Sequence, residues 1–185
     1  LKAKEHAITS VFVSNGFEST EVREDMIGII DAINVDLKCF NATYYTSLGG
    51  SLDVVKENLI FFAKSDIHLE ITTLIVPTKN DTLEEFDAMT DFIVRELGVD
   101  TIWHLSAFHP DYKEQNLPHT DVETLRAFRE HALQKGLKHI YIGNAGEPNN
   151  TACSNCGTIL IKRHYFNVLE NHLENAKCPR CHIPL

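Results

Sequence analysis

Four cysteines fall as two CxxC pairs, Cys153 and Cys156 in "CSNC" and Cys178 and Cys181 in "CPRC", with 21 residues between the pairs. Two thiolates two residues apart grip one metal ion from a tight knuckle, and a second knuckle completes a tetrahedron. Gly157 follows the first pair, as a knuckle turn requires, and "TILIKR" and "FNVLEN" between the pairs read as short strands. The spacing predicts the hairpin of a zinc ribbon. Four thiolates leave no open coordination position, so the ion has a structural role, and zinc or a rubredoxin-like iron both suit the set. Disulfides are the other use of such cysteines, and nothing in the sequence marks a secreted chain. Cys39, next to Lys38, is the unpaired fifth thiol and receives no role.

A second set of reactive side chains lies on strand-like stretches. In "INVDLK" (33–38), Ile33, Val35 and Leu37 alternate with Asn34, Asp36 and Lys38, so the two sets point to opposite faces. Likewise Leu69, Ile71 and Thr73 oppose His68, Glu70 and Thr72, while His104 and Ser106 oppose Trp103, Leu105 and Ala107. An antiparallel sheet with one wet face would alternate in this way, but helix-length connections favour parallel pairing. A polar face on a parallel sheet makes sense as the lining of a site for a sizeable polar ligand. Ser14, Asn15, Asp36, Lys38 and His109 all fall at C-terminal strand ends, where function gathers in βα barrels.

The elements that must hold these residues alternate along the chain. Strands are expected at 7–14, 32–37, 67–76, 101–107 and 138–144, and helices at 19–28, 51–64, from an Asp81-Thr82 cap to Leu97, and at 121–135 before Gly136. The first residues, "LKAKEHAITS", read as the inside of a helix and lack an initiating Met, which points to truncation or processing. One βα unit per 25 to 37 residues means parallel strands with right-handed crossovers. A closed eight-stranded barrel needs roughly 250 residues, so five strands should form an open arc with an edge to cover. The fold class is therefore α/β, a partial parallel (β/α) barrel over 1–149 followed by a four-cysteine metal-binding ribbon over 150–185.

Composition is that of an ordinary soluble protein, 43% hydrophobic and 23% charged, with a net charge of −9. That charge argues against nucleic-acid binding by the bulk of the chain. No apolar run approaches the roughly 20 residues that span a bilayer, and a cytoplasmic location is expected. From Asn150 onward four basic residues face two acidic ones, a reversal of sign that marks the tail as a separate module.

The stretches "VFVSNGF", "INVDLK", "TTLIVP", "HLSAFHPDYK" and "TLRAFREHALQKGLKHIYIGNA", followed by the paired cysteines, resemble in that order a radical SAM enzyme. The resemblance is to enzymes of the pyruvate formate-lyase activating type, nearest the group linked to Memo and AMMECR-type proteins. It implies a partial barrel in which a [4Fe-4S] cluster and S-adenosylmethionine generate a 5′-deoxyadenosyl radical for hydrogen abstraction. Ser14 and Asn15 resemble the strand-end "TNG" of the activating enzymes, and Asp36 and Lys38 their "DLK", which contacts the methionine and ribose part of S-adenosylmethionine. His109 is similar to a His beside the nucleoside. The resemblance also implies a protein substrate or Memo- and AMMECR-type partners.

The pattern departs from the family in several places. The cluster-binding CxxxCxxC and the Gly-Gly-Glu motif precede, in the family, the point where this chain starts, so the missing part of the same enzyme is an implied partner. Without three cluster thiolates this chain alone should not cleave S-adenosylmethionine. Val13 stands where Asp is frequent, and Thr78 replaces the Gly usual after "VP". Two other classes fit the residues: a barrel aldolase using Lys38 as a Schiff-base amine, and a non-catalytic module in which the metal ribbon binds a partner protein.

Overall fold

The computed structural model describes residues 2–164 and 167–185. Five strands, β1 (Val11–Ser14), β2 (Ala32–Asp36), β3 (His68–Ile75), β4 (Ile102–Ala107) and β5 (His139–Gly143), form one sheet in that spatial order. Every neighbouring pair is parallel. The antiparallel alternative is thereby removed. Parallel neighbours need long crossovers, and helices α2 (Thr20–Met26), α4 (Leu52–Ala63), α5 (Leu83–Phe92) and α6 (Val122–Gln134) supply them.

The apolar half of each strand meets these helices. Val55, Leu59 and Phe62 of α4, Phe86 and Met89 of α5, and Leu125 and Phe128 of α6 are buried against Ile33, Val35, Ile71, Trp103 and Leu105. Phe86 lies between Trp103 and Phe128, stacked at centroid distances of 4.9 and 4.1 Å. Thr73 is a polar residue buried in this layer. Its hydroxyl donates to the Leu37 carbonyl (2.8 Å) and accepts from Trp103 Nε1 (2.9 Å), so both buried side chains are paired.

Strand ends are pinned by buried side chains. Asn58 of α4 donates from Nδ2 to the carbonyls of Gly16 and Glu18, both at 2.9 Å, and so fixes the turn after β1. Asn80 donates to the carbonyls of Lys38 and Leu74 and accepts from the Val76 amide, tying the ends of β2 and β3 together. Thr120 donates to the Ile75 carbonyl and accepts from the Phe108 amide, and Asn149 accepts from the Ile142 amide.

Several expectations are revised. β1 starts at Val11, because Ala7 turns left-handed (φ 54°) as the chain leaves the short helix α1 (Lys2–Glu5); Leu1 lies outside the described residues. Helix α3 (Ala42–Ser47) was not foreseen: its Thr- and Tyr-rich sequence has strand-like composition, and its signal is the Asn41 side chain accepting from the Tyr44 amide. Beyond Phe92 the expected α-helix continues as a π-helical turn, Ile93–Leu97, ended by Gly98 at φ 104°. Leu83, at the first helical position of α5, is 57% exposed.

The tail forms a second sheet of three antiparallel strands, β6 (Thr151–Ala152), β7 (Ile159–His164) and β8 (Asn167–Asn171). Of the strand expected over 166–171, Phe166 lies outside the described residues. A small core of Cys153, Leu160 and Cys178 sits beneath it. Among the described residues no helix is long and apolar enough to cross a membrane.

Two turn residues report opposite states of backbone strain. Gly16 has φ 73°, and a Cβ there would stand 2.6 Å from a Val35 methyl. Thr78, a β-branched residue, has φ 68°. Gly16→Ala should lower stability by about 2–4 kcal/mol through strain and overpacking. Thr78→Gly should raise it by about 1 kcal/mol, or about 2–4 °C in Tm. Thermal melts of both variants read the two signs.

Candidate functional site

The parallel register lines up polar residues of four strands. Asp36 pairs with Thr72, Thr72 with His104, and His104 with Tyr141, making one row across β2, β3, β4 and β5. Thr72 donates to Asn34 Oδ1 at 2.8 Å. Glu70 faces two imidazoles, His104 at 2.7 Å and His68 at 3.2 Å. The His104 hydrogen bond above all draws the Glu70 carboxyl down to about 2, against a smaller upward push from burial. The His104 ring stacks near Tyr141 at 5.6 Å. Over this face lies a cleft of about 850 Å³, lined by Asn34, Glu70, Thr72, His104 and Ser106 of the sheet and by His109 beyond β4. Gly143 keeps its floor open, since a Cβ there would stand 2.8 Å from Ser106 Oγ.

The residues singled out at strand ends separate into two places. Asp36 and Lys38 form an ion pair at 2.9 Å, each side chain just over a third exposed. Lys38 and Asn15 line a small hollow of about 30 Å³ with Tyr45 and Gly49. Asn15 Oδ1 accepts from the Phe17 amide at 3.1 Å. Ser14 pairs in register with Val35 and therefore belongs to the helix-facing side; its hydroxyl donates to Glu18 and accepts from the Gly16 amide. His109 lies in the larger cleft, its ring 6.4 Å from that of His119. Cys39 is fully buried, and burial pushes its thiol up to about 11, which leaves it unreactive.

Cys153, Cys156, Cys178 and Cys181 converge, with all four Sγ atoms within 4.8 Å of one another. The Cys153–Cys181 and Cys156–Cys178 separations are 3.5 and 3.7 Å. A tetrahedron with metal–sulfur bonds near 2.3 Å has edges of about 3.8 Å, so the group fits a tetrahedral ion. Thr158 holds the Cys156 thiol down to about 6, and backbone hydrogen bonding lowers that of Cys181. Burial pushes Cys178 up to about 11, a cost that an ion would offset by taking the thiolate.

Solved structures match this chain in fold at low sequence identity. A domain of pyruvate-formate lyase-activating enzyme from Bacteroides vulgatus matches with a TM-score of 0.68 at 14% identity, over 77% of this chain and 86% of that one. SuiB of Streptococcus suis, bound to S-adenosylmethionine, matches with a TM-score of 0.61 at 12% identity, over 77% of this chain and 34% of that one. A radical SAM methyltransferase from Sphaerobacter thermophilus gives 0.56 at 11% identity, over 74% and 41%. This chain shares its fold with part of each of these structures. In sequence, the uncharacterized protein MJ0808 of Methanocaldococcus jannaschii is 38% identical over 184 residues. That match takes in 97% of this chain and 54% of the relative, so the chain spans about half the relative's length. No protein-family model matches.

Tyr141 and Arg163 are among the cleft residues that escaped the sequence reading. Tyr141 was visible only as part of a β-rich strand, although its alternation with Ile140 and Ile142 places it on the polar face. Arg163 lies on β7, in the module assigned to metal binding alone, yet it lines the cleft. Tyr141 joins the two parts by a 2.9 Å hydrogen bond to Thr151.

Two measurements test the site. Metal analysis should find about one tetrahedral ion per chain, lost in Cys178→Ser. Glu70, whose folded value near 2 lies below its ordinary 4.5, contributes stability that is complete above 4.5 and is lost as pH falls through 2. The difference in denaturation midpoint between the wild type and Glu70→Gln should therefore be widest near neutral pH and narrow steadily below 4.5.

Proposed function

We propose that this chain is part of a radical SAM enzyme, its sheet one portion of a (β/α) barrel wall and its tail a zinc-ribbon or rubredoxin-like module. The observation that carries the reading is a five-stranded parallel sheet, in chain order, whose one face is polar from β2 to β5. Helix-covered parallel sheets bury both faces, and a wet face belongs to a sheet wrapped round a ligand. The edge strand supports the same reading: Val11 and Val13 on that face are 60% and 80% exposed, apolar surface suited to a further strand of a longer protein.

In this reading Asp36 and Lys38 receive the amino-acid portion of S-adenosylmethionine. A zwitterion brings an ammonium for Asp36 and a carboxylate for Lys38, replacing the ion pair that the two make with each other. Asn15 supplies a neutral partner beside Lys38, and His109 lies toward the nucleoside. Lys38, with its ammonium on Asp36 and just over a third exposed, suits charge recognition better than carbonyl attack, which calls for a desolvated amine.

A [4Fe-4S] cluster does not fit the residues of this chain. Four of its cysteines make one closed set and the fifth is buried alone, so the cluster that reduces S-adenosylmethionine would be held elsewhere in the longer protein. What this chain provides is the binding wall and the ordering of the strand ends by Asn58 and Asn80.

Calorimetric titration of the full-length protein with S-adenosylmethionine tests the proposal. Lys38→Met should weaken binding about ten-fold, equivalent to about 1.4 kcal/mol. Absence of binding by the wild type, or equal affinity in the variant, would overturn the assignment.

A further inference from the structure

The large cleft holds two carboxylates and one guanidinium, and they are not paired with each other. Glu70 is engaged by His68 and His104. Glu147 is held by Arg126 in a two-pronged contact, at 2.7 and 3.3 Å. Both cleft anions are thus already matched. Arg163 is different. One edge of its guanidinium donates through Nη1 to the Asn149 carbonyl and Thr151 Oγ1, and its Cζ lies 6.0 Å from the Tyr141 ring centroid. Among the described residues no carboxylate stands within ion-pair distance of Arg163, and its Nε and Nη2 have no hydrogen-bond partner.

We propose that this cleft binds a small carboxylate-bearing molecule, with Arg163 as the anchor for its carboxylate. A half-buried arginine with one edge fixed and the other unspent is a preorganised fork, and a carboxylate matches that fork with two parallel hydrogen bonds. On the same cleft the chain turns at Asn144 (φ 59°) and Gly146 (φ 68°). A doubly charged phosphate is disfavoured, because Glu70 and Glu147 share the cleft. Tyr141 and His104, stacked side by side, offer a flat surface to the rest of the ligand. A volume of about 850 Å³ accommodates a molecule well beyond the size of the anchored group.

S-adenosylmethionine in the position assigned above meets this cleft only through its nucleoside, at His109, so the carboxylate on Arg163 is not its own. Asp36 stands on β2 and Tyr141 on β5, three strand spacings apart, roughly 14 Å. The inference rests on the radical SAM reading only for the ligand's role as the second substrate; the binding chemistry stands without it.

The test uses the full-length protein with its metal in place, and acetate as the carboxylate probe. Acetate, inorganic phosphate and chloride are titrated while the arginine Nε–Hε and tyrosine ring resonances are followed by NMR. Acetate should shift Arg163 and Tyr141 saturably in the millimolar range, phosphate more weakly, and chloride only linearly. Arg163→Lys, which keeps the charge but not the fork, should weaken the acetate response about ten-fold with metal content and S-adenosylmethionine affinity unchanged. A linear acetate response at Arg163, a response undiminished in Arg163→Lys, or a parallel loss of S-adenosylmethionine affinity would each overturn the proposal. If the wild type binds acetate saturably but not S-adenosylmethionine, the radical SAM reading fails and the carboxylate site stands.

Discussion

A chain leaving the end of a parallel strand must cross into the helix layer with backbone groups that neither the ladder nor water can reach. The structure meets that constraint with side chains: Asn58 after β1, Asn80 after β2 and β3, Thr120 after β3 and β4, and Asn149 at β5. Each is a single polar side chain bonding backbone groups at a strand end. An unpaired buried carbonyl or amide costs about 1–3 kcal/mol, so these contacts decide whether the strand-end loops hold one conformation. Asn15, Lys38 and His109 all hang from loops fixed in this way. Site geometry is therefore set from the helix side of the sheet, beneath the surface that a ligand would touch.

The opposite face obeys a different rule. It is polar, but its charges are largely matched within the sheet: Asp36 with Lys38, and Glu70 with His68 and His104. The module adds Arg163 to that face from outside the sheet. The four-cysteine group and the cleft are consequently parts of one arrangement, since β7 carries both the buried Leu160 packed among the thiols and the arginine at the cleft wall.

Much of this was legible in the residue order. Strict alternation in 33–38, 68–73 and 103–107 told the two faces apart, and the burial of Ile33, Val35, Ile71, Trp103 and Leu105 follows it. The CxxC spacing brought four thiols together as expected. Three things were hidden for physical reasons. Helix α3 has only six residues and strand-like composition, so its one clue was the Asn41 cap. Ser14 was read by its place at a strand end, while register sets it beside Val35 on the helix side. Arg163 joins the cleft through tertiary packing, which no local pattern encodes.

The chain's one tryptophan is fully buried, wedged against Phe86 with its indole nitrogen spent on Thr73. Its emission will be blue and insensitive to quenchers, and will change only when the helix layer separates from the strands. Intrinsic fluorescence is thus a clean optical gauge of unfolding and a blind one for occupancy. A chromophore introduced in place of Tyr141 would see what the native indole cannot.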